Sequence, residues 1–354
     1  MTAIPATELT AFVAALFAAA GVPQDESEII AASLVESNLR GHDSHGALVV
    51  PPYLELLRKG DVRGGVPLRI LSETASFLGT DGELGFGQVQ CRRLVDLVCD
   101  KAEVVGLAGG TIVRCGHIGR LGEWAEQAAR RGCASLISVN DNGVITHVAP
   151  PGGLDARIST NPIGVGAPTG GEPLVLDIST SAVANGKMRV ARAAHEPVPE
   201  GWLQDAEGNP TTDPFAPLAT PRATLLPFGG DQAYKGFGLG LLFDILVGGL
   251  SGGYCPPAPS GTVEWNNVLF VAWHPGRCAG TDHFREQADK LIAYVRESRR
   301  KPGVDAITLP GDRSAGIREK RLREGIPLAE DTRQHLSDAA RSLGVLVPAA
   351  LVKP

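Results

Sequence analysis

The sequence predicts an α/β (α+β) protein of about two domains, in which both ends of the chain build helices around a sheet-containing body. Three observations predict this class. Apolar residues recur at helical spacing near the N-terminus, short apolar segments alternate with glycines in the middle, and helical patterns return near residue 280. We expect a helical domain of residues 1–70 plus 300–354. The sheet-containing body then comprises residues 71–299, with a loop-rich subregion around 190–225.

The N-terminal helices are predicted from apolar spacing and from their stop signals. The first is expected over 7–20, where Leu9, Phe12 and Leu16 share one face, before a glycine and a proline end the pattern. The second begins at Asp25, with a capping-box glutamate three residues later, and ends near residue 40. The polar segment His-Asp-Ser-His-Gly follows at once, so it lies on a loop.

The body alternates predicted strands and helices. Apolar segments bounded by glycines predict strands at 76–78, 110–113, 134–139, 174–176 and 268–273. Amphipathic or apolar patterns predict helices at 87–105, 119–131, 234–250, 281–299 and 331–343. The segment 201–217, rich in proline and glycine, is expected to be a loop.

The composition excludes several function classes. A net charge of −6 and only 5% aromatic residues argue against a nucleic-acid partner. The six cysteines form no Cys-x-x-Cys pair, which excludes a zinc ribbon or a thioredoxin motif. Asp244 interrupts the longest apolar stretch, and the apolar N-terminal run lacks the positive residues of a signal peptide. We therefore expect a soluble, cytoplasmic protein without a membrane partner.

Histidines mark the densest polar clusters. His42 and His45 lie in the segment after the second helix, and His117 lies between Arg114 and Arg120 after a predicted strand. A histidine can give and take a proton near neutral pH, and arginines suit a carboxylate ligand. Solvated turns with ordinary histidines are the alternative, and a metal pair in the first cluster is a further one.

A third segment combines Asp177 with small hydroxyl residues, and a β-hairpin with hydroxyl caps is its alternative interpretation. Lys235 near the start of an apolar helix could meet an anion, or it could be solvated. The sequence contains no Gly-x-Gly-x-x-Gly between a strand and a helix, no Walker loop and no Gly-x-Ser-x-Gly elbow. A dinucleotide, if bound, is therefore held without the Rossmann fingerprint.

Taken together, these segments resemble the malate/L-lactate dehydrogenase family that lacks a Rossmann fold. This family includes ureidoglycolate, sulfolactate and hydroxycarboxylate dehydrogenases, diketogulonate reductase and piperideine-carboxylate reductase. The matching segments stand in the family's order, and those at 116–127 and 309–328 are most similar to the hydroxycarboxylate members. The motifs are GHDSHG at 41–46, GHIG at 116–119, STNPIGVGAP at 159–168, LDISTS at 176–181, the turn segment 205–214, YKGFG at 234–238 and LPG at 309–311.

The resemblance implies an NAD- or NADP-dependent oxidoreductase for a 2-oxo acid/2-hydroxy acid pair. It also implies a homodimer and a mixed, largely antiparallel sheet in the cofactor-binding body. By position, His45 matches the catalytic histidine, Ser44 its hydroxyl neighbour and His117 a second active-site histidine. The residues that match cofactor-contact segments are Leu174, Val175, Leu176, Asp177, Ile178, Ser179, Thr180, Tyr234, Lys235, Gly311, Asp312 and Arg313.

Two positions depart from the family pattern. Many members carry a substrate-binding arginine where this chain has Val49, so we expect Arg120, or second Arg114, to bind the substrate carboxylate. In some members a lysine acts as the acid or base at the position where this chain has Asn140. Asn140 cannot titrate, so we expect it to contact the substrate only.

Two alternative functions stay open from the sequence. A reductase of cyclic imino acids would use the same hydride geometry on a C=N bond. A metal-dependent hydrolase or lyase would instead use His42, His45 and His117 as ligands, although we expect no metal.

Overall fold

A computed structural model describes residues 3–352 of the chain. The helices of this part are α1 (Ala6–Ala19), α2 (Gln24–Leu39), α3 (Val50–Lys59), α4 (Gly87–Val105), α5 (Leu121–Arg130), α6 (Asn185–Ala194), α7 (Tyr234–Ser251), α8 (Thr281–Arg296), α9 (Asp312–Glu324), α10 (Glu330–Leu343) and α11 (Ala349–Val352). The strands are β1 (Ala3–Ile4), β2 (Arg69–Glu73), β3 (Phe77–Asp81), β4 (Leu107–Cys115), β5 (Ala134–Asn140), β6 (Ile163–Ala167), β7 (Leu174–Ile178), β8 (Leu203–Gln204), β9 (Pro210–Thr211), β10 (Thr224–Leu225), β11 (Asn266–Trp273) and β12 (Ile326–Pro327).

A seven-stranded sheet with the order β2-β3-β4-β11-β5-β6-β7 forms the centre of the body. Its β3–β4 pair is parallel and its other pairs are antiparallel. The mixed, largely antiparallel sheet that the family resemblance implies is therefore confirmed. Strands β6 and β7 form a hairpin, which places the motif around Asp177 at the edge of the sheet.

Helices α4 and α5 cover this sheet and bury its apolar face. Strand β4 carries glycine where α4 comes closest: a Cβ at Gly110 would lie 2.8 Å from Leu94 Cδ1 and 2.9 Å from Val98 Cγ2. Trp124 of α5 is 1% exposed in the same core, where Phe270 of β11 is fully buried. The tight contact fixes the strand-to-helix turn after β4 relative to the sheet.

The two ends of the chain share a second core. Phe12 and Phe17 of α1 pack in one apolar cluster with Ile326 and Leu336, and the short strands β1 and β12 pair antiparallel. The division into a domain of residues 1–70 plus 300–354 and a body of 71–299 stays a prediction, and residues 1, 2, 353 and 354 lie outside the described part.

Several elements differ from the sequence-based prediction. Helix α2 begins at Gln24, directly after Pro23, and has no side-chain cap. Helices α6 and α9 were not predicted, because α6 has few apolar residues and α9 is charged on every face. The loop-rich subregion contains the small sheet β10-β8-β9, whose two-residue strands are too short to show an alternating pattern.

Candidate active site

His45 lies in a short 3₁₀ turn, Asp43–His45, directly after α2. Its Nδ1 lies 2.9 Å from Ser44 Oγ, which fixes the orientation of the ring. Asp43 holds the turn in place, because its carboxylate accepts hydrogen bonds from Asn38 Nδ2 at 2.7 Å and from both Nη atoms of Arg321, at 2.6 and 3.0 Å. Ser44, which the family resemblance matches to the hydroxyl neighbour of the catalytic histidine, is thus in direct contact with His45.

His117 lies two residues beyond the end of β4 and faces His45. The two imidazole rings stack with centroids 5.3 Å apart. Tyr53 Oη of α3 lies 2.6 Å from His117 Nδ1, and Gln88 Nε2 of α4 donates to the same phenol oxygen at 3.1 Å. The same hydroxyl lies 3.3 Å from the His117 carbonyl, so Tyr53 can donate either to that oxygen or to Nδ1. We assign its proton to the shorter contact with Nδ1, which places the His117 proton on Nε2.

Tyr53 was not predicted from the sequence. It lies at an apolar position of α3 and is 6% exposed, so its sequence pattern is that of a core residue. Burial raises the pKa of its phenol above the usual range, which keeps the hydroxyl proton in place.

Burial also governs the protonation of the three clustered histidines. It lowers the pKa of His117 to about 3, with smaller contributions from the charges of His45 and Arg189. Burial likewise lowers the pKa of His42 to about 3. It also lowers the pKa of His45, and the negative charge of Asp177 partly offsets this second shift. All three imidazoles are therefore neutral at pH 7.

A cavity of about 220 Å³ opens beside the stacked rings. Residues of α6, of the loop between β5 and β6 and of the segment leading into β11 complete its wall. The lining residues with polar side chains are His45, His117, Asn140, Asp141, His147, Ser159, Thr160, Asn161, Asn185, Arg189, Glu264 and Asn266. Burial raises the pKa of Asp141 to about 6 and also raises that of Glu264. A small polar substrate would meet several hydrogen-bonding groups here.

Asn140 lines this cavity, but neighbouring protein atoms already occupy its polar groups. Its Nδ2 donates to Asp244 Oδ1 at 2.7 Å and to the Tyr254 carbonyl at 3.0 Å, and its Oδ1 accepts from Asn267 Nδ2 at 2.9 Å. The expected substrate contact through this amide is therefore not supported. Asn140 instead joins β5 to α7 through the buried Asp244.

Arg114 and Arg120 do not line the cavity, which corrects the predicted carboxylate contact. Arg114 is bound to Asp81 at the end of β3. Arg120 is 3% exposed and makes a two-pronged pair with Glu126, with Nη1–Oε1 at 3.2 Å and Nη2–Oε2 at 3.0 Å. Both guanidinium groups already have carboxylate partners inside the protein.

Several predicted cofactor residues border a second cavity, of about 610 Å³. Leu174 and Val175 of β7 line it together with Gly311 and Asp312, and a Cβ at Gly311 would lie 3.4 Å from the Val175 carbonyl oxygen. Arginines of α2, α5, α8 and α9 complete the wall, and these are Arg40, Arg130, Arg296 and Arg318. Arg40 and Arg318 are already paired with Glu36, and Arg296 with Asp312, whereas Arg130 has no carboxylate partner within residues 3–352. An unpaired guanidinium and a glycine at φ 93° suit close contact with phosphate and sugar groups.

Asp177 and Arg120 lie between the two cavities. Asp177 Oδ2 accepts a hydrogen bond of 2.7 Å from the Gly122 amide at the start of α5. Arg313 lies near enough to His42 for its charge to lower the pKa of that imidazole. The charges of Arg120 and Arg313 therefore act on His42, and those of Arg120 and Asp177 act on His45, across the space between the two cavities.

The remaining predicted cofactor residues lie elsewhere or are already bonded. Tyr234 and Lys235 are exposed at the start of α7 and border neither cavity. Ser179 Oγ donates to the Ser181 carbonyl at 3.1 Å, and Thr180 Oγ1 donates to the Thr160 carbonyl at 3.0 Å. Leu176 and Ile178 continue strand β7, and Ile178 is 37% exposed.

Asn161 supplies an unsatisfied acceptor that was not predicted. Its Nδ2 donates to the Gly240 carbonyl at 3.0 Å and to Asp244 Oδ2 at 2.8 Å. Its Oδ1 is buried and has no hydrogen-bond partner in the described part of the chain. Because a buried acceptor is costly to leave unpaired, a ligand with an N–H or O–H donor fits this position.

The hydrolase alternative required a metal-ligand set at His42, His45 and His117. Within residues 3–352, no group of three or more histidine, cysteine or acidic side chains is arranged to hold a metal ion. The structure thus gives that alternative no geometric support.

Comparisons with known proteins agree on one family. A family model for malate/L-lactate dehydrogenases matches residues 4–337. Hydroxycarboxylate dehydrogenase B of Escherichia coli O157:H7 is 36% identical over 349 residues, covering 96% of this chain and 94% of the relative. L-lactate dehydrogenase of Cupriavidus necator is 34% identical over 339 residues, covering 95% and 96%. The solved structure of malate dehydrogenase from Pyrococcus horikoshii OT3 superimposes with a TM-score of 0.88 at 28% identity, covering 98% and 97%.

Proposed function

Because the chain belongs to the malate/L-lactate dehydrogenase family, we propose that it interconverts a 2-oxo acid and its 2-hydroxy acid in the cavity beside His45 and His117. The enzyme is an oxidoreductase of hydroxy acids that uses a nicotinamide cofactor. The stacked pair of neutral histidines at a polar cavity is the observation that carries the proposal. It provides one group to move a proton and a second to orient the reacting oxygen.

The cofactor region is proposed from the fit of its residues. The larger cavity, with its arginines and Gly311, suits the nucleotide end, and the unpaired Asn161 Oδ1 suits a carboxamide donor near the histidines. When bound, the nicotinamide supplies or accepts the hydride. The choice between NAD and NADP depends on whether an arginine at the larger cavity contacts the 2′ position of the ribose. The kinetic panel compares the two cofactors.

His45 is proposed as the group that exchanges the proton. Ser44 occupies its Nδ1, so Nε2 is the nitrogen that reaches the substrate. In the oxidation direction neutral His45 accepts the hydroxyl proton. In the reduction direction its protonated form neutralises the developing alkoxide, and a bound substrate carboxylate favours this form by raising the pKa of His45.

His117 is proposed as an orienting donor. Tyr53 and Gln88 hold its Nδ1 side, so its Nε2–H is available to a substrate oxygen. Burial keeps the pKa of His117 low and the imidazole neutral. A neutral donor polarises a carbonyl without competing with His45 for the proton.

A kinetic panel tests the proposed function. NADH and NADPH are each tested against pyruvate, oxaloacetate, glyoxylate, 2-oxoglutarate, hydroxypyruvate and cyclic imines. Consumption of a reduced nicotinamide with a 2-oxo acid is expected. Turnover of cyclic imines alone would favour imino-acid reduction. A chelator-sensitive reaction without nicotinamide consumption would contradict both 2-oxo acid reduction and imino-acid reduction.

The pH dependence of the oxidation reaction follows from the lowered pKa of His45. Since the neutral form accepts the proton, kcat/KM for a 2-hydroxy acid is expected to stay constant down to about pH 6.5 and to fall only as pH drops through the lowered pKa. Asp141 lines the same cavity and titrates near pH 6, so Asp141→Asn identifies any part of the profile that belongs to this carboxyl. A fall in kcat/KM centred at pH 7 in both proteins would contradict a neutral His45.

We also propose that α7 forms the interface of a homodimer. Seven of its apolar side chains are between 39% and 62% exposed, and they are Tyr234, Leu239, Leu241, Leu242, Ile245, Leu246 and Leu250. Its length and mean hydropathy of 1.2 would also allow a membrane span. Asp244 argues against that role, because its carboxylate is bonded to Asn140 and Asn161 of the body. A second subunit would cover this apolar face.

Charge placed on α7 is expected to separate the subunits. The double variant Leu242→Glu/Ile245→Glu puts two carboxylates into the proposed interface, whereas Val104→Glu changes a 70% exposed residue of α4. Light scattering after gel filtration should give a dimer for the wild type and Val104→Glu and a monomer for the double variant. A double variant that remains dimeric, or a monomeric wild type, would show that α7 is not the interface.

A further inference from the structure

The proposed reaction requires a cation for the substrate carboxylate, and this inference rests on that proposed function. The family's arginine position is occupied by Val49, which is 9% exposed and packs in the core shared by the two chain ends. Arg114 and Arg120 are engaged by Asp81 and Glu126. A carboxylate in a partly closed cavity without a cation would be strongly disfavoured, so another residue must supply the charge.

Helix α6 brings an arginine to the cavity. The helix begins at Asn185 and packs closely on the turn that carries His45, since a Cβ at Gly186 would lie 2.5 Å from both Ser44 Cβ and Ser44 Oγ. Asn185 and Arg189 are one helical turn apart and therefore share a face. Both line the cavity, and Asn185 Nδ2 lies 3.0 Å from His147 Nε2.

The positive charge of Arg189 is not paired with an acidic group of residues 3–352. Its side chain is exposed and makes no hydrogen bond or ion pair with any of residues 3–352. Its positive charge nevertheless reaches the reacting groups, because it contributes, after burial, to the lowered pKa of His45, His117 and His147. Arg189 is thus a permanent cation at the cavity that the two histidines line.

Two acidic groups share the cavity with Arg189. Burial raises the pKa of Asp141 and of Glu264, and the charge of Arg189 partly offsets this for Glu264. Neither carboxyl is hydrogen-bonded or ion-paired to Arg189. A substrate carboxylate can therefore approach the guanidinium without displacing an internal partner.

We propose that Arg189 binds the substrate carboxylate at the mouth of the cavity and orients the C2 carbonyl toward His45 and His117. A guanidinium binds a carboxylate through two parallel hydrogen bonds, which fixes the plane of the acid. Arg189 then replaces the arginine that many family members carry at the Val49 position, from a different helix.

Substitution of Arg189 tests this role. Arg189→Gln should raise KM for the preferred 2-oxo acid of the kinetic panel by about 10- to 100-fold, with a smaller change in kcat. It should leave kcat/KM for the methyl ester of that acid nearly unchanged, so the preference for acid over ester falls by the same factor. The dissociation constant of oxamate, measured by calorimetry on the cofactor-loaded enzyme, should rise in parallel.

Two further variants control the test. Lys187→Gln removes an exposed cation of the same helix and should retain wild-type constants, and Arg189→Lys should recover part of the lost affinity because it keeps the charge. Wild-type KM and oxamate binding in Arg189→Gln would overturn this inference while leaving the proposed function intact. A wild type that reduces no 2-oxo acid would instead refute the proposed function.

Discussion

Replacing His45 with alanine is expected to lower kcat by about 10²- to 10⁴-fold, the usual contribution of a positioned acid/base group. The proton that accompanies hydride transfer would then have to come from water. The dissociation constant for the reduced nicotinamide should change little, because the cofactor segments at the larger cavity stay intact. Steady-state rates and quenching of nicotinamide fluorescence on binding measure the two effects separately.

His335→Ala serves as the matched control, since His335 is exposed on α10 and borders neither cavity. It should keep wild-type kcat. If His45→Ala retained more than about a tenth of wild-type kcat, the proton would be exchanged elsewhere. His117→Ala would then be the variant that abolishes turnover.

Replacing Glu126 with glutamine is expected to lower the free energy of unfolding by about 3–5 kcal/mol. Its carboxylate, 7% exposed, accepts hydrogen bonds from the buried Arg120 and lies 3.2 Å from Arg40 Nη2. The neutral amide keeps the shape but leaves the buried Arg120 guanidinium without its paired carboxylate, whereas Arg40 keeps Glu36. Urea unfolding followed by circular dichroism measures the loss.

Glu103→Gln makes the same chemical change at an exposed ion pair. Glu103 is 46% exposed and lies 3.1 Å from Arg131 Nη2, so its loss should cost no more than about 1 kcal/mol. Equal losses in the two variants would show that burial does not strengthen the Arg120–Glu126 pair. This comparison also tests whether Arg120 has a structural role. A strongly stabilising pair with Glu126 would explain why Arg120 is buried although it does not bind the substrate.

Elements with a strong local pattern were predicted well from the sequence. Helix α4 was expected over 87–105 and is found at Gly87–Val105, because its apolar spacing, flanking glycines and length are all local properties. Helix α6 was missed because Met188 and Val190 are its only large apolar residues, too few to show a helical period. A residue such as Arg189 follows no apolar period, and only the folded arrangement reveals its position.

The site shows the same division between local and long-range information. His45 and Ser44 are neighbours in sequence, and their contact was anticipated. The Tyr53–His117 hydrogen bond joins residues from α3 and the segment after β4, and nothing in either segment indicates the other. The prediction for Arg120 was wrong because its guanidinium pairs with the buried Glu126, six residues later on α5. The sequence does not show that these two side chains meet.

The pairing of β1 with β12 has a consequence for synthesis of the chain. Ala3 pairs with Pro327, and Ile4 with Ile326. Strand β1 therefore cannot pair until residues 326 and 327 have left the ribosome. Until then the apolar face of α1 lacks Leu336 and Ala340 of α10. Closing so long a loop makes completion of this core a late event in folding, and the nascent chain exposes this part of α1 to chaperones until residues 326–340 have been synthesised.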